Sequence, residues 1–207
     1  MGFYNRYIMP RFVDFACGMS MLTEQREHVV PAAEGTVLEV GIGSGLNLPF
    51  YDPTRVERVI GVEPDEGMWK RSAKRRADAP VQVDRIPLCG EAIPLDDNSA
   101  DTALITYSMC TIKDPVAALR EMRRILKPGG RLLFLEHGAS SEASVRKWQR
   151  RIDPIWKRLA GGCHSGRPIV DYVHKAGWQI EHLEQGYIRG PKVLAYEYRG
   201  SAFASSN

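Results

Sequence analysis

Thr36-Val37-Leu38-Glu39-Val40-Gly41-Ile42-Gly43-Ser44-Gly45 is the stretch on which the fold depends. Its first half is a short apolar run with β-branched residues, the pattern of a buried strand. Its second half places glycine at every other position from Gly41 to Gly45. Glycines there let the backbone turn tightly and let a ligand lie against it. A plain glycine turn has the same look, so the loop alone does not decide between the two.

Outward from this stretch, apolar runs alternate with amphipathic segments. Further strands are expected at Arg58–Val62, Val81–Asp84, Thr102–Thr106 and Arg131–Glu136, then at Gln179–Leu183 and Val193–Tyr198. A helix is expected directly after the glycines. Another should cover Asp65–Ala77 with Asp65 as its N-cap,. A third should run from Asp114 to Leu126, with Pro115 in its first turn and Pro128-Gly129-Gly130 ending it,. Helical spacing also marks Glu142–Leu159, with an interruption at Asp153-Pro154, and Pro168–Lys175,. Such alternation calls for an α/β fold: a parallel sheet with right-handed crossovers and helices on both faces. The last two strands are joined closely enough to be antiparallel neighbours. Residues 1–35 repeat aromatic and aliphatic side chains every three or four positions, which reads as two short helices forming a cap. The expected organisation is one domain: cap 1–35, core 36–137, acceptor-side helices and final strand pair 138–200, frayed tail 201–207.

Composition narrows the class. The 207 residues are 43% hydrophobic and 26% charged, which argues against disorder, collagen or coiled coil as whole-chain answers,. A chain of this size buries roughly 70% of its unfolded surface, enough for a core without staples. The net charge of +3 is too small to argue for nucleic acid by itself,. No run reaches the roughly 18 apolar residues of a membrane span. The N-terminus lacks the pattern of a secretory signal, so the expectation is a reduced, cytoplasmic protein. Cys17, Cys89, Cys110 and Cys163 are scattered and form no CxxC pair, so a thiolate metal site is not expected,.

The second strand ends at Val62-Glu63-Pro64, about twenty residues after the glycines, where a carboxylate accepts hydrogen bonds from the ribose of a bound nucleoside,. A dinucleotide is disfavoured. The loop is GIGSG rather than GxGxxG, and Glu39 stands two residues before Gly41, where a pyrophosphate would be repelled and a sulfonium or ammonium would not,.

With Gly90-Glu91-Ala92-Ile93-Pro94-Leu95 and Leu126-Lys127-Pro128-Gly129-Gly130-Arg131 added, residues 36–137 resemble the class I S-adenosylmethionine-dependent methyltransferases. The resemblance implies a Rossmann-like seven-stranded, mostly parallel sheet with an antiparallel last strand. It implies S-adenosyl-L-methionine as cofactor and S-adenosyl-L-homocysteine as product. It puts Gly41 and Gly43 at the methionine end, with Glu39, Ile42, Ser44 and Asn47 around them. Glu63, followed by Pro64, should hold the ribose, and Met68 should cover the adenine. Gly90 and Glu91, with the Ala92 backbone, should meet the adenine edge. Thr106, Tyr107 and Ser108 should face the sulfonium. Ser44 and Asn47 as helix caps, and Met68 as ordinary core, are the bland alternatives.

A narrower resemblance follows. Leu135-Glu136-His137-Gly138, Trp148, Asp153-Pro154-Ile155-Trp156, Gly161-Gly162-Cys163-His164 and Arg167 look like the thiol-methyltransferase branch of the methyltransferase-like proteins. That branch lies close to the UbiE-type quinone and phospholipid methyltransferases. Its animal members begin with a membrane anchor that this sequence does not show. The main expectation is methylation of a small thiol. The runner-up is a lipid-like amine or a quinone, followed by a cofactor-binding protein without catalysis and by an RNA methyltransferase. His137, at the end of a central strand, is the base candidate; its alternative is a histidine that only closes the pocket. Tyr7 and Cys110 are further candidates, each with a packed, inert alternative. Cys163 and His164 are neighbours whose side chains should point apart, so they are not expected to act as a pair.

Two basic clusters hide in the small net charge. Lys70, Arg71, Lys74, Arg75 and Arg76 share one helix. Arg146, Lys147, Arg150, Arg151, Lys157 and Arg158 flank Trp148, Ile152, Ile155, Trp156 and Leu159. The favoured reading of the second is a stripe packed on the sheet with solvated charges outside. Peripheral contact with an anionic membrane is the alternative. No nucleic-acid partner is expected, and the oligomeric state is not readable.

Overall fold

A computed structural model describes residues 9–204, so Tyr7 lies outside the described residues. The order is α1 (Met9–Cys17), α2 (Ser20–Glu27), β1 (Gly35–Val40), β2 (Val56–Val62), α3 (Glu66–Arg71), α4 (Ala73–Ala77), β3 (Gln82–Ile86), β4 (Ala100–Thr106), α5 (Pro115–Ile125), β5 (Leu126–His137), α6 (Ala143–Leu159), α7 (Ile169–Lys175), β6 (Trp178–Tyr187) and β7 (Tyr196–Ala204). The seven strands form one sheet ordered β3-β2-β1-β4-β5-β7-β6. Pairings among β1 to β5 are parallel, and β7 runs antiparallel to both β5 and β6. This is the expected Rossmann-like arrangement.

The central strands read as near-continuous apolar runs because both faces are covered. Leu38, Leu104, Ile105, Phe134 and Leu135 are fully buried. α5 lays Ala118, Leu119, Met122 and Ile125 on the core at helical spacing, and Asp114 caps it by accepting from the Ala117 amide at 3.0 Å. Among the described residues no helix is long and apolar enough to cross a membrane.

Several expectations are corrected. No α-helix follows the glycines; the chain makes only a 3-10 turn at Leu48–Phe50, because Asn47 and Tyr51 turn inward to bond Glu39. The helix expected over 65–77 breaks into α3 and α4 at Ser72. Its hydroxyl donates back to the Trp69 carbonyl at 2.7 Å, and such back-bonding bends helices,.

α6, by contrast, runs unbroken through Pro154. A proline inside a helix costs about 3 kcal/mol. Gln149 offsets it: its amide donates to the carbonyls of Gly138, Ser165 and Val193 and accepts from the Ser140 amide. The helix is thereby pegged through a polar residue. Its apolar stripe is not packed on the sheet as the sequence suggested: Trp148, Ile155 and Leu159 are 56%, 66% and 59% exposed.

The third strand lies slightly later than expected, and β6 extends to Tyr187. β7 reaches Ala204, so residues 201–204 belong to the sheet rather than to a frayed tail. Ser201 and Ala202 looked like tail composition, but the strand runs through them, and Gly200 before them is required to be small. A Cβ on Gly200 would stand 2.1 Å from the His182 carbonyl oxygen and 2.9 Å from Phe134.

Candidate active site

The carboxyl ends of β1, β2, β4 and β5 open into a cavity of about 830 Å³, roofed by α1, α2, the end of α6 and the β6–β7 connection. Open α/β sheets receive ligands at this end. The roof is tied down by charge: Asp14 on α1 accepts from Arg71 at 2.7 Å and Arg75 at 2.8 Å. Arg76 stacks on Trp69, 3.8 Å from its ring centroid. Part of the first basic cluster therefore serves structure.

The glycine loop is held from below and from the side. The Gly41 amide donates to the Val62 carbonyl at 2.9 Å. A Cβ on Gly41, where φ is +76°, would stand 2.1 Å from Ser108 Oγ. Glu63 braces the loop: Oε2 accepts from the Gly43 amide at 3.0 Å and Oε1 from the Asp65 amide at 2.7 Å. Burial raises its pKa against these two bonds. Each oxygen keeps accepting capacity, which a ribose diol would use. Ile42, Gly43, Ser44, Pro64, Met68, Gly90 and Glu91 line the same cavity. Met68 Cε lies 3.3 Å from where a Gly43 Cβ would be.

Glu39 does not line this cavity. It is 1% exposed; Oε1 accepts from Asn47 Nδ2 at 2.8 Å and Oε2 from the Tyr51 hydroxyl at 2.7 Å. Burial pushes its pKa up to about 7, opposed by those bonds. The expectation of a carboxylate facing a sulfonium gives way to a buried brace. Its effect reaches the cavity through Asn47, whose Nδ2 also donates to Thr106 Oγ1 at 2.9 Å. Asn47 Oδ1 is buried without a partner among the described residues. A buried acceptor left unpaired is costly, and an ammonium donor at the methionine end would satisfy it. Together with the Glu63 cradle, this fits S-adenosylmethionine.

The turn after β4 carries strain. Tyr107 has φ +48°, a left-handed conformation that non-glycine residues hold only where the surroundings impose it,. Glu136 imposes it by accepting the Ser108 and Met109 amides at 2.8 and 3.0 Å. The Tyr107 hydroxyl donates to Glu197 at 2.7 Å, and the Arg26 guanidinium lies 4.9 Å from the Tyr107 ring centroid. Burial raises Glu136 to about 7 and also raises Glu197.

The far wall joins three residues from separate elements. Cys110 follows β4, His137 ends β5, and Cys163 follows α6. Cys163 Sγ is 3.3 Å from His137 Nε2. The ligand atoms of Cys110, His137 and Cys163 all lie within 4.8 Å of one another. The Cys110 thiol beside it, then His137, hold the Cys163 pKa well below the ordinary thiol range despite burial. Cys110 is raised by the same neighbour and by burial. Burial works against a charged His137, yet the Cys163 sulfur prevails and its pKa is raised. These directions favour a proton on His137 over one on Cys163. His164 points away and meets Asp153 at 2.7 Å.

The structure thus brings Gly41, Ile42, Gly43, Ser44, Asn47, Glu63, Pro64, Met68, Gly90, Glu91, Thr106, Tyr107, Ser108, Cys110 and His137 around one cavity. Glu39 stands behind it. Ala92 is exposed on the outer side of its loop and is not part of the lining. Glu136, Glu197, Arg26 and the pairing of Cys163 with His137 are what sequence reasoning missed. Glu136 carried a signal through its place beside His137, and Cys163 through the Gly161-Gly162-Cys163-His164 motif, where it was weighed only against His164.

A family model described as a methyltransferase domain matches residues 38–134. The rat thiol S-methyltransferase TMT1B is 36% identical over 73% of this chain and 63% of its own length. The human thiol S-methyltransferase TMT1A is 30% identical over 79% of this chain and 69% of its own. The match thus spans under two thirds of the rat relative and slightly more of the human one. A SAM-dependent methyltransferase from Thermotoga maritima superposes with a TM-score of 0.67 at 23% identity, covering 98% of both chains, which speaks for the fold.

Proposed function

The chain belongs to the class I S-adenosylmethionine-dependent methyltransferases, and from that membership we propose that it methylates a small thiol, hydrogen sulfide or an alkyl thiol. The observation that carries this reading is the far wall, where Cys163 and His137 stand 3.3 Å apart beside Cys110 in a largely apolar chamber. Thiol S-methyltransferases among the relatives support it.

When bound, S-adenosylmethionine supplies an electrophilic methyl on a sulfonium and leaves as S-adenosylhomocysteine. Glu63 would hold its ribose, Asn47 and the glycine loop its methionine end, and Met68 and Glu91 its adenine. The Tyr107–Ser108 turn then separates cofactor from acceptor, and much of the rate comes from holding the two in line. A thiol, with a pKa of about 8.5, needs only a modest proton acceptor. The acceptor thiol's proton leaves to solvent, and a protonated His137, 3.3 Å from Cys163, stabilises the thiolate that remains.

Labelled S-adenosylmethionine offered with hydrogen sulfide, an alkyl thiol, phosphatidylethanolamine, a demethylated quinol and RNA should put label on the thiols. Label confined to the lipid or quinol fraction would replace this reading with the runner-up. No transfer despite tight cofactor binding would make the chain a binding protein.

The exposed stripe on α6 favours a second element of the reading: contact with an anionic membrane surface. Trp148, Ile155 and Leu159 are flanked by exposed Lys147, Arg150, Arg151, Lys157 and Arg158, the composition of an interfacial helix,. The protein should co-sediment with vesicles containing an anionic phospholipid and not with neutral ones. Trp148→Ala and Ile155→Ala should each weaken binding about tenfold, for the loss of roughly 1.5 kcal/mol of apolar burial. Equal binding to neutral vesicles would refute this contact.

A further inference from the structure

We propose that Cys110, His137 and Cys163 form a three-ligand site for a soft divalent metal ion, zinc by its ligand chemistry, with the fourth coordination position open to the acceptor cavity. Two thiolates and an imidazole are a ligand set of catalytic zinc, where three protein ligands leave one position for water or substrate. Tetrahedral zinc, at about 2.3 Å from sulfur and about 2.0 Å from nitrogen, sets its ligand atoms roughly 3.5–3.8 Å apart. The three ligand atoms here already lie within 4.8 Å of one another, and the Cys163–His137 separation is 3.3 Å. Small side-chain rotations bring them to that geometry.

The surroundings suit a cation. Two thiolates and a neutral imidazole on a dication form a neutral unit, which a mostly apolar chamber tolerates. Glu136 and Glu197 stand within electrostatic reach of His137, and each has a buried oxygen without a partner among the described residues. The ligands come from three elements, and each is held in place. Glu136 anchors the turn leading to Cys110, β5 carries His137, and the Cys110 carbonyl receives the His164 amide at 3.0 Å next to Cys163.

The open position has a use that rests on the thiol reading. An acceptor thiol entering there replaces water and releases its proton to solvent. Coordinated thiols are deprotonated outright. Its sulfur pair then forms the new S–CH3 bond. The electrons of the broken C–S bond stay on the cofactor sulfur, and the neutral thioether, a poorer ligand, departs. In this loaded state the metal takes the place of the proton otherwise shared by Cys163 and His137.

The test adds cobalt(II) to the full chain after chelator treatment. One cobalt per chain should bind and give thiolate-to-cobalt charge-transfer absorption. Cys110→Ser and Cys163→Ser should each weaken cobalt binding by more than about 100-fold, beyond the ~10–100-fold of an outer-shell change. Cys89→Ser should leave the spectrum unchanged. Retained S-adenosylhomocysteine binding shows that each variant is folded. Adding an alkyl thiol should strengthen the charge-transfer band. Absence of that band in the parent chain overturns the site, and a band that also requires Cys17 overturns the open position. Cobalt binding without methyl transfer to thiols would leave the site standing and sink the thiol reading. Undiminished thiol methylation by chelated, metal-depleted protein would overturn the catalytic use of the open position and leave the thiol reading standing.

Discussion

Glu63→Ala loses S-adenosylmethionine affinity by roughly 100-fold or more, measured by calorimetry. Hydrogen bonds to a charged group contribute about 1.5–3 kcal/mol each, and two ribose hydroxyls would meet this carboxylate in the proposed site, while about 1.4 kcal/mol is a factor of ten. The side chain is 7% exposed, so water does not replace it freely. The loss has a second source. Glu63 also holds the Gly43 and Asp65 amides at 3.0 and 2.7 Å, so its removal loosens the loop that lies under the methionine end. Glu63→Gln keeps one accepting oxygen and should fall between the two. Melting curves establish that both variants are folded. Affinity unchanged in Glu63→Ala would refute the ribose role.

His137→Ala should lower thiol-methylation turnover at pH 7 by about 100-fold or more, the usual scale for removing a positioned group that stabilises charge at the reacting centre. Cofactor affinity should stay within a few-fold, because His137 stands on the far wall and bonds neither Glu63 nor the glycine loop. The pH dependence gives the sharper readout. In the parent chain the Cys163 pKa is lowered and the His137 pKa raised, so the charged form of the pair is favoured over the neutral one. The His137 cation that stabilises the acceptor thiolate is then in place below the acceptor thiol's own pKa. The variant depends on thiolate formed in water, with a pKa of about 8.5. Its rate should climb steeply as pH rises towards that value, while the parent profile is shallower, and the gap should narrow above it. Parallel profiles across pH would leave His137 with a merely structural role.

Much of this molecule is legible in its residues one stretch at a time. A strand must end where Gly41, Gly43 and Gly45 begin, and an acid at the end of the next strand falls beside them, because parallel neighbours in one sheet bring their carboxyl ends together. α5 announces itself through Asp114, Pro115 and the core-facing spacing of Leu119, Met122 and Ile125. These are local signals, fixed by backbone sterics, capping and hydrophobic period. Misreadings arose where a side chain was spent on a distant partner. Asn47 and Tyr51 abandon a helix to reach Glu39. Gln149 pegs α6 and so releases Trp148, Ile155 and Leu159 to the surface. Ser201 and Ala202 look like tail residues until β7 pairs them with β5 and β6.

The sequence by itself determined the strand–helix alternation, the glycine loop after the first strand and the acid at the end of the second, since each is encoded within about twenty-five residues. Only the tertiary structure decided that Glu39 braces rather than faces the cavity, and that Cys163 belongs with His137 instead of with adjacent His164. The physical reason is the same in both cases. Sequence spacing fixes which way a side chain points from its own strand or turn. It does not fix which group from another strand or loop, more than fifty residues away in the case of Cys110 and Cys163, folds in to meet it.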